Sequence, residues 1–473
     1  MKGRILLLGL LLLSVIFMGA CSGSSPMSTT PLPTGGSSLV SLTMGDAPPT
    51  GVSVLCFEIT VTGATLNSSS GSVSLLSHPA KVEVERLQVE SAFLSTSGVP
   101  ADTYNSITVT FANPEMTIKN TSGSAIGSCA NGAVCELTPG LGTASVTYSD
   151  APFPLTLAAG SQGGLQLDFN LNSSIQTDLS IQPTITFQQL TAAPGSGELE
   201  DGENSEGEDF SGKVTAKDTA NNQFTLQKRM SDQTVTIKVD NNTVFEDFTE
   251  SGGQNSFASL AVGQVVSVKA QLMPNGDLIA KKVELHEREN ERGLEGTITS
   301  VDSATQFKMV TTDESPDISD AQVGNVVTVT IQNGASFGVG RDGMTIPSGL
   351  SFSSSADLLV GQAVRVHRLA VSSGTSITTD RIRLAMSRFT AKVMSVDAPN
   401  LNFIVNNLPG LFTSATPPIT QIQVRTSDRT RFEGTTSLAT LSVNDTVSLR
   451  GLLFKTTGAP ALLASKVRKR GTM

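Results

Sequence analysis

Leu260-Ala261-Val262-Gly263-Gln264-Val265-Val266, Leu358-Leu359-Val360-Gly361-Gln362-Ala363-Val364 and Leu441-Ser442-Val443-Asn444-Asp445-Thr446-Val447 are three versions of one motif. Each is followed by an apolar-polar alternation and then a glycine (Gly276, Gly374 or Gly458), 13, 13 and 14 residues after Gly263, Gly361 and Asn444. A second landmark precedes each copy: Gly212-Lys213-Val214 to Phe224, Gly296-Thr297-Ile298 to Phe307, and Ala391-Lys392-Val393 to Phe403, at offsets of 12, 11 and 12. Shared spacing at two separate landmarks marks an internal repeat.

At about 80–95 residues the unit is too long for a solenoid turn and suits a small domain. Each copy offers three early strands, an irregular middle with room for a short helix, and a closing hairpin. That order predicts a small OB-like β-barrel. The copies are expected at residues 210–286, 293–386 and 387–470. The middle copy is longer before Val360-Gly361, and the third has Asn444-Asp445 for Gly-Gln. The Gly-x-Val start and Val-Gly-Gln turn resemble an uncharacterised repeat family of exported bacterial proteins.

Upstream, residues 39–190 hold alternating segments at Val52–Val61, Val82–Val89, Ser106–Phe111, Ala144–Tyr148 and Leu165–Leu171, broken by Gly, Pro and Asn. Period-2 patterning without helical periodicity predicts an antiparallel β-sandwich. Ser41-Leu42-Thr43-Met44-Gly45-Asp46-Ala47-Pro48, Val84-Glu85-Arg86-Leu87-Gln88 and Gly98-Val99-Pro100-Ala101-Asp102-Thr103-Tyr104 resemble an uncharacterised bacterial lipoprotein domain with a Leu-Thr-Asp-Ala-Pro opening. The resemblance covers about a third of the chain and implies architecture and compartment, not an activity. The expected fold class is therefore all-β.

At the start, Lys2 and Arg4 precede an apolar run, Ile5 to Met18, ending in Gly19-Ala20-Cys21. This reads as a signal peptide over residues 1–20. Met18-Gly19-Ala20-Cys21 resembles a bacterial lipobox, which implies lipidation of Cys21, and Ser22 resembles the sorting signal for the outer membrane. Residues 21–38 read as a flexible Ser/Gly/Pro/Thr tether, so the expected location is the cell envelope, with a membrane contact made through lipid. Export permits disulfides. Cys129 and Cys135, around an Asn131-Gly132 turn signal, are expected to bridge across a short hairpin; a zinc site is the rival, without a second ligand pair nearby. Cys56 reads as a buried strand residue.

Composition excludes several classes. The 473 residues contain 3 His, 2 Tyr and no Trp, which leaves little for His-ligated metals or for stacking on sugars. The net charge of −10 divides into three regimes: 11 acids and 3 bases over 39–190, 7 acids and no base over 191–209, and 24 acids and 27 bases over 210–473. Residues 191–209 read as an acidic linker, with a calcium loop as the weaker alternative because the EF-hand spacing is missing. Gly334-Ala335-Ser336-Phe337-Gly338, with Asp342, Asp357 and His367 downstream, fits a nucleophile-elbow string. Gly338-Val339-Gly340-Arg341-Asp342-Gly343 fits a dinucleotide fingerprint. Both lack the following helix that their chemistry needs, and a loop is the expected structure. Phe224, Phe307 and Phe403 are expected in the barrel cores. Lys466, Arg468, Lys469 and Arg470 are expected in a solvated tail; His78, His286 and His367 have no mutual spacing.

These readings lead to a lipid-anchored envelope protein with a non-catalytic binding or structural role. Tandem copies suit multivalent contact with an envelope or extracellular polymer such as a polysaccharide. An assembly factor contacting other proteins through sheet edges is the alternative, and a serine hydrolase resting on Ser336 is the remote one. No cofactor, metal or nucleic acid is expected.

Overall fold

The computed structural model describes residues 36–47, 53–89, 91–192, 199–200, 206–228, 234–246, 255–273, 277–285, 293–315, 323–340, 344–373 and 375–470. The N-terminal part is a two-sheet sandwich. One sheet has the order β12-β11-β10-β1-β5, built from β1 (Ser37–Ala47), β5 (Ala92–Pro100), β10 (Gln162–Asn170), β11 (Ile185–Ala192) and the two-residue β12 (Leu199–Glu200). The other centres on β2 (Ser53–Ser68) and β6 (Asp102–Lys119). It adds β3 (Gly71–Ser74) and β4 (Ala80–Glu83) beside β2, and β7 (Val134–Leu137), β8 (Ser145–Tyr148) and β9 (Leu155–Leu157) beside β6.

The antiparallel expectation needs one correction: β1 and β10 pair in parallel, Leu39 opposite Gln162 through Ala47 opposite Asn170. The chain visits the opposite sheet between these two strands, so no hairpin dictates their relative direction. A second correction concerns Val82–Val89. The strand stops at Glu83, whose carboxylate accepts the N–H groups of Phe57 (3.0 Å), Glu85 (3.2 Å) and Arg86 (2.9 Å). Those bonds turn the chain into a 3-10 helix, Glu85–Gln88. Between the sheets, Phe169 packs against Phe57 and Phe111 at centroid distances of 5.8 and 5.5 Å. The Pro100–Tyr104 corner is tied by the Tyr104 hydroxyl, which donates to the Pro100 carbonyl at 2.9 Å.

Three barrels follow. Barrel 1 comprises β13 (Glu206–Asp218), β14 (Gln223–Lys228), β15 (Thr234–Lys238), β16 (Val244–Glu246), β17 (Val265–Leu272) and β18 (Leu278–Leu285). Barrel 2 comprises β19 (Gly293–Ser303), β20 (Gln306–Ser315), β21 (Val326–Val339), β22 (Ala363–His367), β23 (Ala370–Ser373) and β24 (Ser376–Leu384). Barrel 3 comprises β25 (Met386–Asp397), β26 (Asn402–Asn406), β27 (Ile422–Arg425), β28 (Arg431–Glu433), β29 (Thr446–Phe454) and β30 (Ala461–Lys469). In each, the third strand pairs in parallel with the last long strand (β15–β18, β21–β24, β27–β30), which closes five strands into an OB-like barrel. The expected short helix is a 3-10 turn in every copy: Phe257–Ser259, Ser355–Asp357 and Leu438–Thr440. Phe224, Phe307 and Phe403 are buried in their barrels.

The repeated turn has a structural explanation. Gly263, Gly361 and Asn444 all have positive φ (96°, 86° and 72°), a conformation open to Gly and tolerated by Asn. The next side chain then accepts a backbone N–H three residues upstream: Gln264 from Ala261 (2.7 Å), Gln362 from Leu359 (2.6 Å) and Asp445 from Ser442 (2.7 Å). Val-Gly-Gln and Val-Asn-Asp are therefore two spellings of the same turn.

The sandwich and barrels share packing. Leu190 of the sandwich is buried with barrel 1, and Phe93 packs against that cluster. Leu452, Phe454, Ala461 and Leu463 of barrel 3 are buried with the core of barrel 2. A smaller cluster joins Leu55 and Cys56 of β2 to Val310 and Val323 of barrel 2 and Leu411 of barrel 3.

Candidate functional site

The side chains that alternate with the buried Phe residues point outward from the first three strands of each barrel. Strand register places them in rows. In barrel 1, Lys213 lies opposite Gln227 and Gln227 opposite Thr234; at the other end, Asp218, Gln223 and Lys238 are aligned. In barrel 3, Lys392 lies opposite Asn406, and Asp397, Asn402 and Arg425 are aligned. The two barrels thus present the same chemistry: a lysine beside an amide at one end, and acid, amide and cation in line at the other. The acid is committed to its own turn. Asp218 accepts the N–H groups of Ala220 and Asn221 at 3.0 and 3.2 Å and the Asn221 amide at 2.7 Å, bonds that lower its carboxyl pKa. Asp397 accepts the Asn400 amide at 2.8 Å. Of the cations, Lys238 pairs with Asp277 at 2.6 Å, and Arg425 donates to Gln423 at 3.4 Å.

Barrel 2 departs at the same positions. Its rows read Thr297, Val310 and Val326, then Ser303, Gln306 and Thr330. Its first turn is one residue shorter and lacks the positive φ found at Asn222 and Leu401 in the other two. The valine end of this face is docked on the sandwich. Val310 is buried with Leu55 and Cys56, and Val326 and Val360 pack against that cluster. Polar bonds frame the contact. The Thr117 hydroxyl donates to the Gly324 carbonyl at 2.6 Å, the Val326 N–H donates to Glu136 at 2.7 Å, and the Leu411 N–H donates to Ser53 at 3.0 Å. Val262 and Val443, the counterparts of Val360, are 60% and 57% exposed.

The sandwich face under this contact carries a row of acids: Glu83, Glu58 and Glu115, opposite one another on β4, β2 and β6. Lys81 reaches Glu58 at 2.8 Å and Glu115 at 3.5 Å. Burial pushes the Glu58 carboxyl up to about 7, although Lys81 opposes the shift. Burial also raises the Cys56 thiol well above its usual value, helped by Glu83 and Glu58.

The residues singled out by motif fall as follows. Cys129 and Cys135 are bridged, with Cα atoms 5.9 Å apart. They are not hairpin partners, because Cys135 lies opposite Ile118 on β6 and Cys129 bridges Ile126. The disulfide therefore ties the 120–133 loop to β7, and Gly132, at φ 79°, bonds back to Asn120. Cys56 is buried in β2 as expected. Ser336 stands within β21 rather than on a loop or a strand-to-helix elbow. Residues Ser336–Val339 run parallel to Arg381–Leu384, the place taken by β16 and β28 in the other barrels. Phe337 is thus the counterpart of Phe245 and Phe432, an equivalence hidden in the sequence by the insertion. The Ser336 hydroxyl donates to the Asp380 carbonyl at 3.4 Å, while His367 pairs with the Asp380 carboxylate at 2.6 Å. Asp357 caps the 3-10 turn from Ser354.

The solvated-tail expectation is corrected. Lys466 and Arg468 are buried in β30, and Lys466 and Arg431 grip Glu433 at 2.7 and 3.1 Å. Arg470 donates to the Gln88 carbonyl of the sandwich at 2.6 Å. His78 is exposed beside Ser77. Among the described residues, no three His, Cys, Asp or Glu side chains form a metal-ligand group. Cys21, His286, Arg341 and Asp342 lie outside the described residues, as do Glu198, Asp201 and Glu203 of the acidic stretch.

The class defined by these features is an all-β protein with a sandwich domain and repeated closed barrels. Residues 37–186 match the family model described as domain of unknown function DUF4382, and residues 211–284 and 410–468 match that described as domain of unknown function DUF5666. The latter segments fall in barrels 1 and 3. No curated protein matches the chain.

Proposed function

We propose that this is a lipid-anchored protein of the cell envelope, held to the outer membrane through Cys21, with a non-catalytic binding role exercised by the open faces of barrels 1 and 3. One observation carries this reading: two barrels separated by a third repeat the same outward set of lysine, amide, acid and cation, and the third replaces its end of the set with valines that dock internally. The acids serve their own turns, while the lysines and amides recur on the outside, away from the barrel cores. Barrel 2 acts as the spacer that holds the two faces, and multivalency becomes bivalency. Two weak contacts on one polymer then add through effective concentration.

Fractionation tests the anchor: Cys21→Ser is expected to move the protein from membranes to the soluble fraction, and retention on the membrane contradicts the lipid anchor. Crosslinking in intact cells tests the binding role. Barrels 1 and 3 are expected to capture an envelope component, with barrel 2 silent. A protein partner is the second reading, favoured by the way the barrel 2 face packs on the sandwich. The serine hydrolase is the remote alternative and rests on Ser336, which lies in β21 with its hydroxyl 3.4 Å from the Asp380 carbonyl.

A further inference from the structure

We infer that the matched faces of barrels 1 and 3 are two sites for an acidic polysaccharide, with barrel 3 contributing more of the affinity. This deepens the binding role proposed above and rests on it.

The ligand class follows from what the faces offer and what they lack. The recurring phenylalanines are all turned inward, with Phe224, Phe307 and Phe403 at 1%, 0% and 0% exposure. The rows therefore have no ring at these positions on which a base or a sugar could stack, a contact that single-strand nucleic-acid sites rely on. They offer amides instead: Gln223 and Gln227 in barrel 1, Asn402 and Asn406 in barrel 3. An amide both donates and accepts, which suits a chain of hydroxyl groups. The two amides of each face are four residues apart on one strand, with Thr225 or Ile404 between them, so they lie roughly 13–14 Å apart, about the span of three sugar units.

Charge then selects among polysaccharides. Each face pairs its amides with two cations (Lys213 and Lys238, Lys392 and Arg425), while the acid in each row is bonded within its own turn. A guanidinium beside an amide recognises a carboxylate through two parallel N–H groups. The barrels differ in surrounding field. Residues 387–470 hold eleven Lys and Arg against four Asp and Glu, whereas 210–286 hold eight of each. Lys238 also shares its charge with Asp277, and Arg425 is bonded to a neutral amide. An anionic chain is therefore drawn first to barrel 3.

The test uses the full chain in detergent, titrated with polygalacturonate, dextran and single-stranded DNA. Polygalacturonate is expected to bind at least about tenfold more tightly than dextran, and to weaken as salt rises from roughly 50 to 200 mM. Lys392→Gln with Arg425→Gln is expected to weaken it about tenfold, and Lys213→Gln with Lys238→Gln about threefold, with thermal unfolding unchanged. Lys308→Gln in barrel 2 is expected to change nothing. Arg425→Lys alone keeps the charge and is expected to lose only the bidentate part, about two- to threefold. Equal binding of dextran overturns the acidic class while leaving the binding role intact, and tighter capture of DNA overturns the choice of polysaccharide. Unchanged affinity in both double variants overturns the sites. If no polymer binds and crosslinking recovers only protein, the binding role itself fails in favour of the assembly reading.

Discussion

The middle barrel and its two neighbours share the order of their five closing strands, a closing parallel pair and the same turn, yet their outer faces differ in what they meet. In barrel 2 a valine pair, Val310 opposite Val326, buries itself against Leu55 and Cys56 of the sandwich. In barrel 1 the same two positions are Gln227 and Thr234, and in barrel 3 the first is Asn406. A barrel closes on its inward residues, so its outside is free to change role. All three barrels touch the sandwich, barrel 1 at Leu190 and Phe93 and barrel 3 at Leu411, Thr390 and Arg470, but only barrel 2 docks through these two row positions. This is how one repeat can supply both the internal spacer and the surfaces the spacer holds.

The sharpest way to break the comparison is at the shared turn. A Cβ on Gly361 would sit 2.1 Å from the Phe412 ring, whereas nothing lies within 4 Å of one on Gly263, although both residues have positive φ. Gly361→Ala is expected to cost about 3–4 kcal/mol, from overpacking plus left-handed strain. Gly263→Ala is expected to cost about 1 kcal/mol, from the strain alone. Equal losses in urea unfolding would mean that the turn of barrel 2 is not part of a packed seam.

The acid row tests the sandwich side of that seam. Glu58 is 1% exposed and lies two residues along β2 from Cys56, on the same face of the strand. Its folded pKa of about 7 exceeds the ordinary 4.5, so the folded state binds the proton more tightly than the unfolded chain does. Stability from this group is therefore complete below pH 4.5 and is lost as pH rises through 7. The loss is roughly 3 kcal/mol by pH 8. Unfolding followed from pH 5 to 8 is expected to show this decline, and Glu58→Gln to flatten it. An unchanged slope in the variant would show that the carboxylate is already well solvated or paired in the native state.

A smaller effect is expected from exchanging the faces. Val310→Gln, which installs the barrel 1 residue in barrel 2, places an amide against Leu55 and Cys56 and is expected to cost about 2 kcal/mol. The reciprocal Gln227→Val is expected to change stability by less than about 0.5 kcal/mol, since that face is open. Similar costs would erase the distinction between docked and open faces. Smallest is Leu401, a leucine held at φ 53° in the barrel 3 turn where barrel 1 has Asn222 at 49°. Leu401→Asn is expected to raise stability by about 0.5–1 kcal/mol, and a loss would mean that the exposed leucine has a packing partner.

How much of this was legible depended on distance along the chain. The barrels, their order and the inward Phe residues could be read because they rest on spacings of a dozen residues and on alternation. The interval from the turn to the next glycine stays at 13 or 14 residues even where Gly-Gln becomes Asn-Asp, because both pairs satisfy the same turn. The Cys129–Cys135 bridge was predicted from proximity, but its geometry was not, since the pairing of Cys135 with Ile118 is a contact across 17 residues. The face was illegible for the same reason. Lys213, Gln227 and Thr234 become neighbours only through strand register, and an insertion in barrel 2 disguised Phe337 as part of a serine motif. In the sequence Lys466 and Arg468 belong to a run of cations near the chain end, which reads as solvated surface; β28 brings Glu433 to them in the fold.

Barrels 1 and 3 are proposed to present ligand faces, and barrel 2 is not. Lysine-directed acetylation of the full chain, with and without polygalacturonate and read by peptide mass, tests this proposal most directly. Lys213, Lys238 and Lys392 are expected to be protected by the polymer, while the exposed Lys308 of barrel 2 stays equally reactive. Protection of Lys308 to the same degree, or of no lysine on these rows, would contradict it.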